Sequence, residues 1–150
     1  MKTCSKITAI TASLALLGSG AFAEENWSMA TSWGGGPPLE TAAKGFAEMA
    51  EFLTNGEIKI EVFPGGTLGS PLKVTETVSN GVAEMGHHWG GYDWGVDKTT
   101  VLFGGWTGGL NAEEMQHWIY EGGGLQTWMD YRMEKFGVVA FPCGQYPREV

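Results

Sequence analysis

Cysteine is scarce, with only Cys4 and Cys143 in 150 residues. Basic residues are few as well, 9 Lys and Arg against 17 Asp and Glu. Long apolar runs are missing beyond the N-terminus, so no later segment is long enough to span a bilayer. The motifs of common catalysis are also missing. There is no Gly-x-Ser-x-Gly elbow, no phosphate-cradling loop ending in Lys-Ser/Thr and no His-Glu-x-x-His. Each shortage excludes something. Too few cysteines rule out a disulfide scaffold. An acidic surface repels nucleic acid and anionic lipid, so neither is expected as a partner.

The N-terminus reads as a targeting segment. Lys2 and Lys6 give a positive start, Ile7–Leu17 is a short apolar run, and Ala21-Phe22-Ala23 fits the small-x-small cleavage pattern. Residues 1–23 are therefore expected to be a signal peptide, cut after Ala23, which sends residues 24–150 out of the cytoplasm. Cutting there removes two lysines and no acid, and takes the net charge from −8 to −10. It also removes Cys4. Cys143, following the apolar run Val138–Pro142, is then read as a lone buried thiol. An anionic ligand of such a chain must be held by local donors, such as helix N-termini or an arginine, against the global field.

What the chain has in abundance is glycine and tryptophan, 24 and 7 residues. They gather in loops between regular segments. Trp27–Thr31 reads as a first strand and leads into Ser-Trp-Gly-Gly-Gly-Pro-Pro. Pro37 and Pro38 suit the first turn of a helix. Leu39, Ala42, Ala43, Phe46, Met49, Ala50 and Leu53 continue it as an apolar stripe. Asn55-Gly56 ends it. Ile58, Ile60 and Val62 alternate with Lys59 and Glu61, the mark of a half-buried strand, which stops at Pro64-Gly65-Gly66.

A second helix is expected over Pro71–Asn80 and a third strand over Val82–His87. Residues 90–109 read as irregular. Asn111 caps a third helix, with Glu113 and Glu114 in its first turn. Gly122-Gly123-Gly124 interrupts it. A further helix, Leu125–Phe136, sets Leu125, Trp128, Met129 and Met133 on one side, and Val138–Phe141 reads as a fourth strand. Strands alternating with helices imply a parallel sheet covered by helices, an α/β fold.

In such folds ligands sit beyond the strand C-termini. That places Trp33, after the first strand, at a ligand cleft. The histidine pair at the end of the third strand points to opposite faces, so one of the two borders the cleft and the other packs, with His87 taken as the ligand-site candidate. Tyr92 and Trp94 share the next Gly-rich loop and offer an apolar wall with a polar tip. His87 and His88 cannot easily ligate one metal, and His117 lies apart, so no metal site is expected. Arg132, between Asp130 and Glu134, reads as a solvated charge. Arg148 and Glu149 follow the fourth strand and are further ligand-site candidates. Two functional classes remain open on these residues. One is a transport receptor for a small organic acid; the other is a secreted carbohydrate-binding module using Trp and Tyr stacking.

Several segments, taken in order, resemble a known family. They are Met29-Ala30-Thr31-Ser32-Trp33 with its proline pair, Ile60-Glu61-Val62-Phe63-Pro64-Gly65-Gly66, Leu68-Gly69, Val82-Ala83-Glu84-Met85-Gly86-His87 and Gly108-Gly109-Leu110-Asn111-Ala112. Glu121-Gly122-Gly123-Gly124-Leu125 and Phe141-Pro142-Cys143-Gly144 also fit. The set resembles the DctP-type solute receptor of tripartite ATP-independent periplasmic (TRAP) transporters. The resemblance implies a periplasmic-binding-protein-like clamshell of two α/β lobes. This chain would be mainly the first lobe and the start of the crossover, with the second lobe and returning segments absent. It further implies capture of a keto or hydroxy monocarboxylate or a dicarboxylate in the periplasm, and delivery to a membrane permease driven by an ion gradient. No catalysis and no cofactor are implied. Tyr92 falls where the branch carries a pocket tyrosine, and Glu149 near a family glutamine, which leaves room for a cation beside the ligand. The family's main carboxylate-clamping arginine would lie beyond Val150.

Overall fold

The computed structural model describes residues 24–144. The proposed signal peptide with its cleavage site, and both Arg148 and Glu149, lie outside the described residues.

Three parallel strands form one sheet in the order β2-β1-β3. β1 is Glu25–Thr31, β2 is Ile58–Phe63 and β3 is Met85–His87. Between β1 and β2 the chain makes a wide π-type segment, Pro38–Ala43, that runs on into α1, Lys44–Leu53. Neither Pro37 nor Pro38 has an N–H to leave unpaired at this start. Asn55 and Gly56 both take positive φ, 52° and 83°, and turn the chain into β2. α2, Val74–Ser79, links β2 to β3.

Successive residues of a strand face opposite ways. Met29 packs with Leu39 and Ala43 on one face, while Ala30 packs with Val74 and Ala83 on the other. The Pro38–Ala43 segment and α2 thus cover different faces of the sheet, as crossovers of one hand leading to opposite sides of β1 require.

Local readings shift in four places here. The expected stripe on α1 is two stripes. Leu39, Ala43 and Ala47 are buried, whereas Phe46, Met49 and Leu53 are exposed. A sheet face accepts only one ridge of a helix. The second helix is shorter than expected, and Leu72 is exposed. β3 starts at Met85 instead of Val82, because the Glu84 carboxylate accepts from the Ser28 N–H at 2.7 Å and takes over a backbone partner's place. Val138–Phe141 pairs with no strand among the described residues. Pro142, with no N–H to donate, ends that segment, which lies along a cleft.

After β3 come two 3-10 segments, Gly90–Gly95 and Lys98–Phe103. α3 is Ala112–Tyr120, opened by a full capping box between Asn111 and Glu114. α4 is Gly124–Phe136, bounded by Gly123 and Gly137 at positive φ. No described helix is long and apolar enough to cross a membrane.

Candidate functional site

All three strands run the same way, so their C-termini open on one side. There the backbone is tightly drawn. Ser32 N–H donates to the His87 carbonyl at 3.2 Å, and Gly65 N–H donates to the Trp33 carbonyl at 2.8 Å. A Cβ on Gly65 would stand 2.8 Å from the Ser32 carbonyl, so only glycine allows this approach. The loops after β1 and β3 lie on either side of the point where the strand order reverses, and a crevice forms there.

That crevice is a cleft of about 450 Å³. Trp33, Pro38, His87 and His88 wall its sheet side, and Trp89, Phe103, Trp118 and Trp128 wall the other. Phe141 to Gly144 form its rim. Cys143 belongs to this rim and is exposed, not the buried thiol expected from the apolar run before it.

Trp33 Nε1–H donates to His87 Nδ1 at 2.7 Å, and the two rings meet edge-on with centroids 5.8 Å apart. Burial holds His87 below its ordinary pKa. Tyr92 is not among the lining residues. It stands behind them, 6.4 Å from Trp33 and 5.3 Å from Trp89 by ring centroids. Trp89 Nε1–H donates to the Gly104 carbonyl at 2.7 Å, and the Thr100 hydroxyl donates to the Gly90 carbonyl at 2.7 Å. These two bonds staple the 3-10 loop shut beneath the cleft wall. Trp94 lies away from the lining, exposed, with Lys98 Nζ 5.6 Å above its ring. The structure thus brings Trp33, His87 and Tyr92 together and leaves Trp94 apart.

Beneath the cleft lies a buried charged knot. Arg132 is 2% exposed and Asp93 5%. Arg132 Nη1 donates to Asp93 Oδ2 at 2.5 Å and Nη2 to Thr75 Oγ1 at 2.6 Å. The Thr75 hydroxyl donates onward to Asp93 at 2.7 Å. With its hydrogen spent there, Thr75 can only accept from His88 Nε2, 3.0 Å away. Burial, together with the Arg132 guanidinium and only partly offset by Asp93, lowers His88 to about 4. Arg132 is therefore the reverse of a solvated face charge. Its signal was present in the sequence. Trp128 and Phe136 sit four residues before and after it, on the same helix face, and the guanidinium carbon lies 5.2 Å and 4.2 Å from their rings.

Residues 29–142 match the family of bacterial extracellular solute-binding proteins, family 7, the DctP family. The chain belongs to this family. A monocarboxylate 2-oxoacid-binding periplasmic protein of Nostoc sp. (strain PCC 7120) is 37% identical over 122 residues, 79% of this chain and 32% of that one. A TRAP periplasmic solute-binding protein from Pseudoalteromonas atlantica, solved with sodium and pyruvate bound, aligns at TM-score 0.74 and 28% identity, covering 79% of this chain and 36% of that chain. Another, from Bordetella bronchiseptica, solved with copurified calcium and picolinate, aligns at TM-score 0.68 and 31% identity, over 75% and 34%. The family and these relatives are solute-binding proteins, not enzymes. This chain spans about a third of the length of these DctP relatives. The fold is that of one lobe of a TRAP binding protein, mixed α/β with a parallel sheet. The carbohydrate-binding alternative finds no support among these relatives. Among the described residues, no group of three or more His, Cys, Asp and Glu side chains fits a metal ion.

Proposed function

We propose that this chain forms the cleft wall of a periplasmic receptor that captures a small keto or hydroxy monocarboxylate or a dicarboxylate and passes it to a TRAP permease driven by an ion gradient. The observation that carries this reading is the cleft at the C-terminal ends of three parallel strands, walled by aromatic rings around the Trp33–His87 pair. The relatives solved with pyruvate and picolinate support the ligand class. In this reading Trp33 and His87 touch the ligand and Tyr92 props Trp33 from behind. Arg148 and Glu149, which follow the rim residues in sequence, supply polar contacts. The signal reading of residues 1–23 accounts for delivery to the periplasm.

Calorimetry on the full-length protein recovered from periplasm tests this. Its mature start should be Glu24 by mass spectrometry, and pyruvate should bind saturably. Trp33→Ala and Tyr92→Ala should each weaken binding by about 1–2 kcal/mol, the scale of a lost buried contact. Unchanged affinity in both variants removes this site, and saturable binding of a neutral sugar without binding of any acid removes the function.

A further inference from the structure

An indole N–H can only donate a hydrogen bond. Trp33 Nε1 lies 2.7 Å from His87 Nδ1, so Nδ1 must present a lone pair. A neutral imidazole with a bare Nδ1 carries its proton on Nε2. The ring borders the cleft, and none of the described hydrogen bonds occupies Nε2. We propose that Trp33 locks His87 as a neutral Nε2–H donor at the cleft wall, and that this donor selects acids bearing a keto or hydroxyl oxygen next to the carboxylate. The selective role rests on the receptor reading above; the lock does not.

The lock works by excluding the cation. A second proton would sit on Nδ1, directly against the indole N–H, and the bond between the rings would be lost. The surroundings offer no compensation. His88, the adjacent titratable group, is itself buried and uncharged near neutral pH. The Tyr92 phenol stands beyond Trp33. Among the described residues no carboxylate forms an ion pair with His87, and burial alone disfavours its charge. A neutral donor suits an uncharged oxygen, whereas a carboxylate gains more from charged donors. A site built to bond that oxygen leaves a buried N–H unpaired when an analogue lacks it, and rejects the analogue for that reason.

Nitrogen-15 NMR of the His87 ring in the full-length, ligand-free protein decides the lock. The expected result is a protonated Nε2 and a bare Nδ1, held from neutral pH to below the ordinary titration range of histidine. In Trp33→Phe the tautomers should mix and the midpoint should rise. An Nδ1–H tautomer, or a midpoint unmoved by Trp33→Phe, overturns the lock. Pyruvate and propionate, which differ by the keto oxygen, test the selection. His87→Phe should shrink the preference for pyruvate about 3- to 10-fold, the range of one net hydrogen bond. His87→Gln, which keeps a donor, should restore part of it. If pyruvate binds and His87→Phe leaves the preference intact, the selective role is wrong while the receptor stands. If no 2-oxo acid binds, the receptor reading and the selective role fall together, and the tautomer still judges the lock.

Discussion

The two halves of the molecule are held by different forces. The sheet half, from β1 to β3, is a layered apolar core in which Met29, Ala30, Leu39, Ala43, Val74 and Ala83 are buried. The half from Gly90 to Phe136 buries few aliphatic side chains. It is joined by rings and a knot of charge. Phe103 lies 4.6 Å from Trp128 and 5.2 Å from Tyr131, and Arg132 reaches through to Asp93 and Thr75. Apolar burial is non-directional and tolerates volume-conserving change. A buried ion pair tolerates almost none, because removing one partner strands the other. The cleft sits on the seam between these two kinds of cohesion.

The sharpest way to break the contrast is Arg132→Ala. It leaves Asp93 buried and uncompensated, and should cost about 3–5 kcal/mol in urea unfolding. Hydrogen exchange should show the loss concentrated in α4 and the Gly90–Phe103 loops, with β1 protected longest. A uniform loss over both halves would mean that the knot holds the whole fold and the contrast is false.

Acid should act on the same half with a somewhat smaller effect. His88 has a folded value of about 4, below its ordinary 6.5. The unfolded chain therefore takes up the proton first as the pH falls. Stability contributed by keeping His88 neutral is whole above about 6.5, declines through the window from 6.5 to 4, and levels off below it. The full swing is about 3 kcal/mol. His88→Gln should flatten that part of the pH profile; a slope unchanged in this variant would place the acid sensitivity elsewhere.

The smallest effect lies at the start of α3. Asn111→Ala removes the side-chain acceptor for the Glu114 N–H, 3.0 Å away. It should cost about 1 kcal/mol, measured as a shift in the urea midpoint at constant slope. A larger loss would show that α3 is more tightly bound to the cleft wall than its exposed cap implies.

The same contrast explains what could be read beforehand. Strand alternation at Ile58–Val62, the Asn55-Gly56 stop and the Asn111 cap are local signals, and the structure follows them. The parallel sense of the strands and the placing of Trp33 and His87 at strand ends also follow from alternation of elements; the order β2-β1-β3 does not. Arg132 was misread because its immediate neighbours, Asp130 and Glu134, are polar, while the rings that bury it lie four residues away. The Phe46, Met49 and Leu53 ridge was misread because helical spacing says which residues share a face, and not which face meets the sheet. Trp94 shares a loop with Tyr92, yet the 3-10 turn carries it outward.

The strand order carries a consequence in time. β1 is the middle strand, flanked by β2 and β3, and its register with β3 closes only at His87. A ribosome adds about 5–20 residues per second. The first strand made therefore waits several seconds for its last neighbour, longer than a hairpin would need by orders of magnitude. During that interval β2 can cover one edge of β1, while the edge that β3 will take has no partner. A chain built this way completes its sheet only late in synthesis. It also leaves the Met29–Thr31 edge, which β3 will cover, as the last part of the sheet to be paired.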